Sequence, residues 1–225
     1  VFTLSGHALS RSIDLSRLGM FLPGMVVSTV ARGQSRRFAL PNLLTYGRVA
    51  AVPVVVGCLF WPGVAAARWA ALAIFILAGI SDFLDGYLAR ALAQQSSLGR
   101  MLDPIADKLL VSAVLLMLAA DHTITSVSLW AAIVILCREI LVSGLREFLA
   151  ELKVSVPVSK VAKWKTFLQL VALGFLIAGP AAEPILPGTT HIGLALLWVS
   201  ALLTLYTGWD YLTAGVKYLV DEDET

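Results

Sequence analysis

From Pro41 onward the chain is a succession of apolar stretches, each about as long as a bilayer is thick. They fall at about 43–60, 65–92, 101–120, 127–150, 161–181 and 191–219. A membrane-spanning helix needs roughly 20 mainly apolar residues, so six such stretches in 225 residues leave little chain for anything else. Composition agrees: 58% of the residues are hydrophobic and 14% charged, against about 45–50% and about 25% in a soluble domain. Disorder, collagen and a disulfide scaffold are excluded, and a soluble globular enzyme is disfavoured. The expected fold is all-α, a polytopic membrane domain of six transmembrane helices over residues 40–219. A cytoplasmic or interfacial extension, 1–39, precedes it, and an acidic tail, 220–225, follows.

The basic residues orient the helices. Arg32, Arg36, Arg37, Arg90, Arg100, Lys153, Lys160, Lys163 and Lys217 fall in the amino-terminal segment, in or beside the second and fourth loops, and at the carboxy-terminal end. The turns at 121–125 and 180–190 hold no Lys or Arg, and the turn 61–67 is followed only by Arg68. Basic loops stay in the cytoplasm. Both termini and the second and fourth loops are therefore expected there, in an inner (cytoplasmic) membrane. No basic segment leads into a sustained apolar run near Val1, so no signal peptide is expected. Val1 itself is read as an alternative start codon, or as a start assigned upstream of Met20 or Met25. The net charge of +2 gives no footprint for nucleic acid. Cys58 and Cys137 lack disulfide or zinc spacing, and His7, His122 and His191 lack metal-ligand spacing.

Charge inside a span is costly, and its presence points to function. Asp82 and Asp85 lie late in the second stretch, Asp103 and Asp107 early in the third. At roughly 100° per residue, Asp82, Asp85, Gly86 and Ala89 share an arc of about 100°. Gly99, Asp103 and Asp107 step by four and share a face if the third helix begins that early. The short connection predicts that the two helices are antiparallel neighbours, with four carboxylates converging on one site. Such a group does not stay ionised unaided. Oxygen-only donors suit hard divalent ions, and two ions would balance four charges. A two-metal clamp on phosphoryl oxygens is one established use of such a site. Gly86 and Ala89 let a ligand approach the backbone, and Arg90 and Arg100 can meet phosphate oxygens. A divalent-cation transporter is the alternative from another class, although the opposite half offers only Asp121 and Glu183, both in turns.

The segment 82–107 reads D-F-L-D-G-Y-L-A-R, eight residues, G, R-M-L, D, P-I-A, D. It resembles the complete signature of the CDP-alcohol phosphotransferases, D-x2-D-G-x2-A-R-x8-G-x3-D-x3-D. Asp82, Asp85, Gly86, Ala89, Arg90, Gly99, Asp103 and Asp107 fill every fixed position. Further matches resemble the phosphatidylglycerophosphate-synthase branch of bacteria. They are Pro41-Asn42-Leu43-Leu44-Thr45 with Arg48, Leu102 to Lys108, Arg138-Glu139-Ile140 through Arg146-Glu147, and Lys163-Trp164-Lys165-Thr166. Together they cover residues 40–218, and the family's six-helix architecture agrees with the span count.

The resemblance implies a transferase acting on CDP-diacylglycerol with sn-glycerol 3-phosphate as acceptor. The products would be phosphatidylglycerol phosphate and CMP. It implies two Mg2+ or Mn2+ ions on Asp82, Asp85, Asp103 and Asp107, with Asp107 also the general base. Gly86, Ala89, Arg90 and Gly99, with Asn42 and Arg48, are expected to bind the CDP-lipid. The acceptor's phosphate needs cations of its own, for which Arg138, Arg146, Lys163 and Lys165 are candidates, with Lys160 nearby. On an ideal helix Arg138 and Arg146 point about 80° apart, within reach of long guanidinium arms. Membrane lipids and a second copy of the chain, in a homodimer, are the implied partners. Serine, inositol or phosphatidylglycerol as acceptor is the alternative within the family.

Overall fold

The computed structural model describes residues 40–92, 97–152 and 160–223, with backbone alone at 40, 41, 85–92, 97, 98, 100, 160–163, 210 and 214–223. The extension 1–39 lies outside the described residues. The described chain is helix and short turn, without a strand. Its helices are α1 (Leu40–Leu59), α2 (Ala65–Leu92), α3 (Ser97–Ala120), α4 (Ser128–Glu151), α5 (Lys160–Ala182) and α6 (Thr189–Asp223). Each coincides with one apolar stretch. Because α3 starts at Ser97, Gly99 stands on the same helix as Asp103 and Asp107.

Five helices, α1, α2, α4, α5 and α6, are long and apolar enough to cross a membrane. The sixth, α3, carries Asp103, Asp107 and Lys108 in its first half and is apolar from Leu109 to Ala120. The protein is an all-helical, multi-pass membrane protein.

Packing among the described residues divides the bundle. α1 packs on both α2 and α3, α5 packs on α2 and α6, and α4 leans on α6. The expectation that α2 and α3 are close neighbours is corrected: they make little direct contact along the described residues, and α1 joins them. A short loop holds two helix ends together, but the axes are set by packing. The core runs through Val55, Phe75, Val114, Leu118, Ile135, Leu173, Leu176 and Leu197. In lipid such cores gain from close van der Waals fit rather than from escape from water. Among the described glycines the tightest approach is at Gly193 on α6, where a Cβ would come 2.8 Å from Leu176 Cγ and 3.1 Å from its backbone nitrogen.

The bundle end opposite the aspartates is tied by Arg68 of α2. Its buried guanidinium pairs with buried Asp121 and donates to Thr123 Oγ1 at 2.9 Å. It also donates to the carbonyl oxygens of Leu176 and Ile177 at 3.3 and 3.1 Å. α5 kinks at Gly179, next to Pro180. Arg68, the one basic residue at an otherwise uncharged turn, thus has a structural post at the kink.

Candidate active site

One side of α1 organises the first aspartates. Asn42, Thr45 and Arg48 follow at three-residue spacing and all three are buried. Arg48 Nη1 lies 2.5 Å from Asp82 Oδ1 on α2. The Thr45 hydroxyl donates to Asp103 Oδ1 on α3 at 2.6 Å. α1 therefore fixes one carboxylate from each neighbour, which compensates for the sparse contact between α2 and α3.

A cavity of about 1280 Å³ opens beside this arrangement. Its polar end is lined by Asp82 of α2, Asp107 and Lys108 of α3, Arg138, Glu139 and Arg146 of α4, Lys165 of α5 and Tyr211 of α6. From there it continues between α2 and α5 along Phe75, Ile80, Phe83, Phe167, Leu170 and Phe175, towards Trp69 and Leu186 at the other end. A charged chamber opening into a long apolar trough suits an amphiphile with an anionic head. Two of the expected site aspartates, Asp82 and Asp107, therefore share a chamber with Arg138, Arg146 and Lys165. Asp103, Asn42 and Arg48 are not in its lining. Gly99 is buried on α3. Asp85, Gly86, Ala89 and Arg90 lie on α2 and Lys163 on α5, but their side chains are outside the described residues.

Glu139 was not among the expected site residues. Its carboxylate pairs with Lys165 of α5, with Arg138 of its own helix at 3.2 Å and with Lys108 of α3 at 3.7 Å. One side chain thereby links three helices, and α3 makes little other contact with α4 or α5. The signal in the sequence was available: a carboxylate inside an apolar stretch, the same anomaly that marks the aspartates. Lys165, expected as a cation for the acceptor, is buried against this carboxylate. Arg138 Nη2 donates to Thr207 Oγ1 at 3.0 Å and Arg146 Nη2 to the Tyr211 hydroxyl at 3.2 Å.

The family description of the CDP-alcohol phosphatidyltransferases matches residues 38–206, most of the chain. The chain belongs to the CDP-alcohol phosphatidyltransferase family. A protein of Rickettsia bellii (strain RML369-C) is 48% identical over 179 residues, covering 80% of this chain and 96% of the relative. One of Cereibacter sphaeroides is 38% identical over 218 residues, 82% of this chain and 99% of the relative. One of Shigella flexneri serotype 5b is 39% identical over 188 residues, 83% and 100% respectively. Each of these relatives is named a CDP-diacylglycerol–glycerol-3-phosphate 3-phosphatidyltransferase.

CDP-alcohol phosphatidyltransferases generally use divalent metal ions. Among the described residues no three acidic, His or Cys side chains stand together as a complete metal site. The donor set nevertheless fits such an ion in kind. Asp82, Asp103 and Asp107 offer only carboxylate oxygens, the chemistry hard divalent cations take. Asp82 already meets a positive charge, the Arg48 guanidinium.

Proposed function

We infer that this protein transfers the phosphatidyl group of CDP-diacylglycerol to sn-glycerol 3-phosphate, forming phosphatidylglycerol phosphate and releasing CMP. The observation that carries the reading is the composition of one chamber. Aspartates on α2 and α3 face guanidinium and ammonium groups from α3, α4 and α5, and an apolar trough leads away from them. The name shared by relatives that align over nearly their whole length supports the same reaction.

In this reading the acyl chains lie along the trough and the diphosphate lies at the aspartates. Divalent ions, magnesium or manganese and two per site, held by Asp82, Asp85, Asp103 and Asp107, would neutralise the diphosphate and the charge developing on CMP. Asn42, Arg48, Gly86, Ala89, Arg90 and Gly99 bind or make room for the CDP part. Asp107 accepts the proton from the acceptor hydroxyl. The freed oxygen attacks the phosphorus of the phosphatidyl group, and the bond from that phosphorus to the CMP oxygen breaks. Arg138 and Arg146, with Lys163 and Lys165, hold the acceptor's own phosphate. A serine or inositol acceptor would have no need of these cations.

The chamber faces the cytoplasm of an inner membrane, as the distribution of basic residues supports. Residues 40–219 form the catalytic domain, 1–39 an appended extension and 220–225 a solvated tail. The protein acts as a homodimer, an assignment supported by the family resemblance and checked by sizing in detergent.

The deciding experiment measures CMP release by the purified protein with CDP-diacylglycerol and magnesium. Glycerol 3-phosphate, serine, inositol and phosphatidylglycerol are offered separately. Release with glycerol 3-phosphate alone is expected. Release with another acceptor would overturn the roles given to Arg138 and Arg146. No release from folded protein would overturn the transferase reading.

A further inference from the structure

Arg138 and Arg146 leave α4 eight residues apart, about 12 Å along its axis. That is a wide separation for two groups meant to hold one phosphate. Their partners on α6 are closer together. Arg138 reaches Thr207 and Arg146 reaches Tyr211, four residues on, or about 6 Å of axis. Anchoring on α6 thus ties the two guanidiniums to residues about one helical turn apart on that helix, against about two turns between their own positions on α4.

The anchors are fitted to this task. Thr207 is buried, and its hydroxyl hydrogen is directed to its own helix, with the Leu203 carbonyl at 2.9 Å. That leaves the oxygen's lone pairs for Arg138. Gly208 offers bare backbone where the arm of Arg138 passes: a Cβ there would sit 3.1 Å from Arg138 Cγ and 3.3 Å from its Nε. Tyr211 is buried and holds Arg146 twice, by its hydroxyl and by its ring, whose centroid lies 5.3 Å from the guanidinium carbon. A cation over a ring face is attracted without being neutralised. Both anchors are uncharged, and among the described residues no carboxylate forms an ion pair with Arg146. Its charge stays available to an incoming anion, whereas Arg138 and Lys165 share the carboxylate of Glu139.

We propose that Thr207, Gly208 and Tyr211 of α6 are positioning residues that set the spacing of Arg138 and Arg146 for a phosphate monoester on the acceptor. The inference rests on the acceptor assignment above and adds the device that makes two distant arginines act as one site.

The test is steady-state kinetics of the full chain in mixed micelles, varying glycerol 3-phosphate and CDP-diacylglycerol in turn. Tyr211→Leu and Thr207→Val are compared with Arg146→Ala. Loss of a hydrogen bond to a charged group is expected to raise the KM for glycerol 3-phosphate about tenfold in each α6 variant. The KM for CDP-diacylglycerol should stay unchanged, a split that general loosening of the bundle would not produce. Should Tyr211→Leu lose the fold, Tyr211→Phe keeps the ring, removes only the hydroxyl and carries the same expectation. If Arg146→Ala raises the acceptor KM while the α6 variants do not, the positioning role is overturned and the acceptor assignment stands. If none of the variants, Arg146→Ala included, moves the acceptor KM, the assignment itself falls and the positioning role falls with it.

Discussion

Arg68 donates to the carbonyl oxygen of Leu176, the acceptor that Pro180 leaves without its helical donor. Proline has no N–H to return to the carbonyl four residues back, and in a membrane an orphaned carbonyl finds no water. The guanidinium meets this demand from another helix while pairing with Asp121, and both side chains are buried. Arg68→Met should therefore strand Asp121 as well as the carbonyls and lower stability by about 3–5 kcal/mol, the usual cost of breaking a buried pair from one side. Thermal unfolding in detergent measures it. Adding Asp121→Asn should recover part of the loss, and a double variant no more stable than Arg68→Met would show that the ion pair is not the source.

Glu139 gives a second expectation of the same kind, at the chamber end. Glu139→Ala leaves Lys165 buried without its carboxylate and should destabilise the protein by about 3–5 kcal/mol. Lys165→Met in the Glu139→Ala background should restore stability while leaving activity low, because the link to Lys108 and one cation proposed for the acceptor phosphate are both gone. A double-mutant cycle of unfolding free energies reads this coupling. Additive single effects would mean that Glu139 and Lys165 do not depend on each other.

The span pattern was legible because length and apolarity alone decide whether a helix crosses a bilayer. The stretch at 65–92 coincides with α2 to the residue. Asp82, Asp103 and Asp107 were legible because each breaks that pattern. What local spacing could not give was partnership across the bundle. Lys165 is 26 residues from Glu139, Tyr211 is 65 from Arg146 and Thr207 is 69 from Arg138. Thr207 and Tyr211 also look ordinary in an apolar helix, since neither carries a charge. Arg68 was visible only as an exception to the distribution of basic residues. Its purpose needed the kink at Gly179, more than a hundred residues on. The closeness of α2 and α3 was misjudged because a loop's length says nothing of a third helix that packs on both.

The aspartates should separate chemistry from folding. Asp107→Asn preserves volume, and removing the proposed base should lower kcat by about 10²–10⁴. The thermal unfolding midpoint should hardly move. Chelation of divalent ions should abolish CMP release by the wild-type protein, and magnesium or manganese should restore it. Restoration by either ion in Asp107→Asn to the wild-type rate would remove Asp107 from the catalytic site.

The turn between α5 and α6 should respond to acid. Glu183 accepts hydrogen bonds from the backbone N–H of Thr190 at 3.0 Å and of Gly188 at 2.8 Å, and so caps the first turn of α6. These backbone bonds, Thr190 first and then Gly188, hold its carboxyl below the ordinary value of 4.5. A depressed carboxyl adds stability that is complete above its unfolded-state value and fades as pH falls through the lower folded value. At pH 7 the cap is therefore at full strength, and it weakens as the pH falls below 4.5. Glu183→Gln accepts the same bonds without the charge, so it should unfold at a lower temperature than wild type at pH 7. The gap between the two should close as the pH is taken down through the acid range. A gap that persists unchanged in strong acid would show that the charge of Glu183 contributes nothing to the turn.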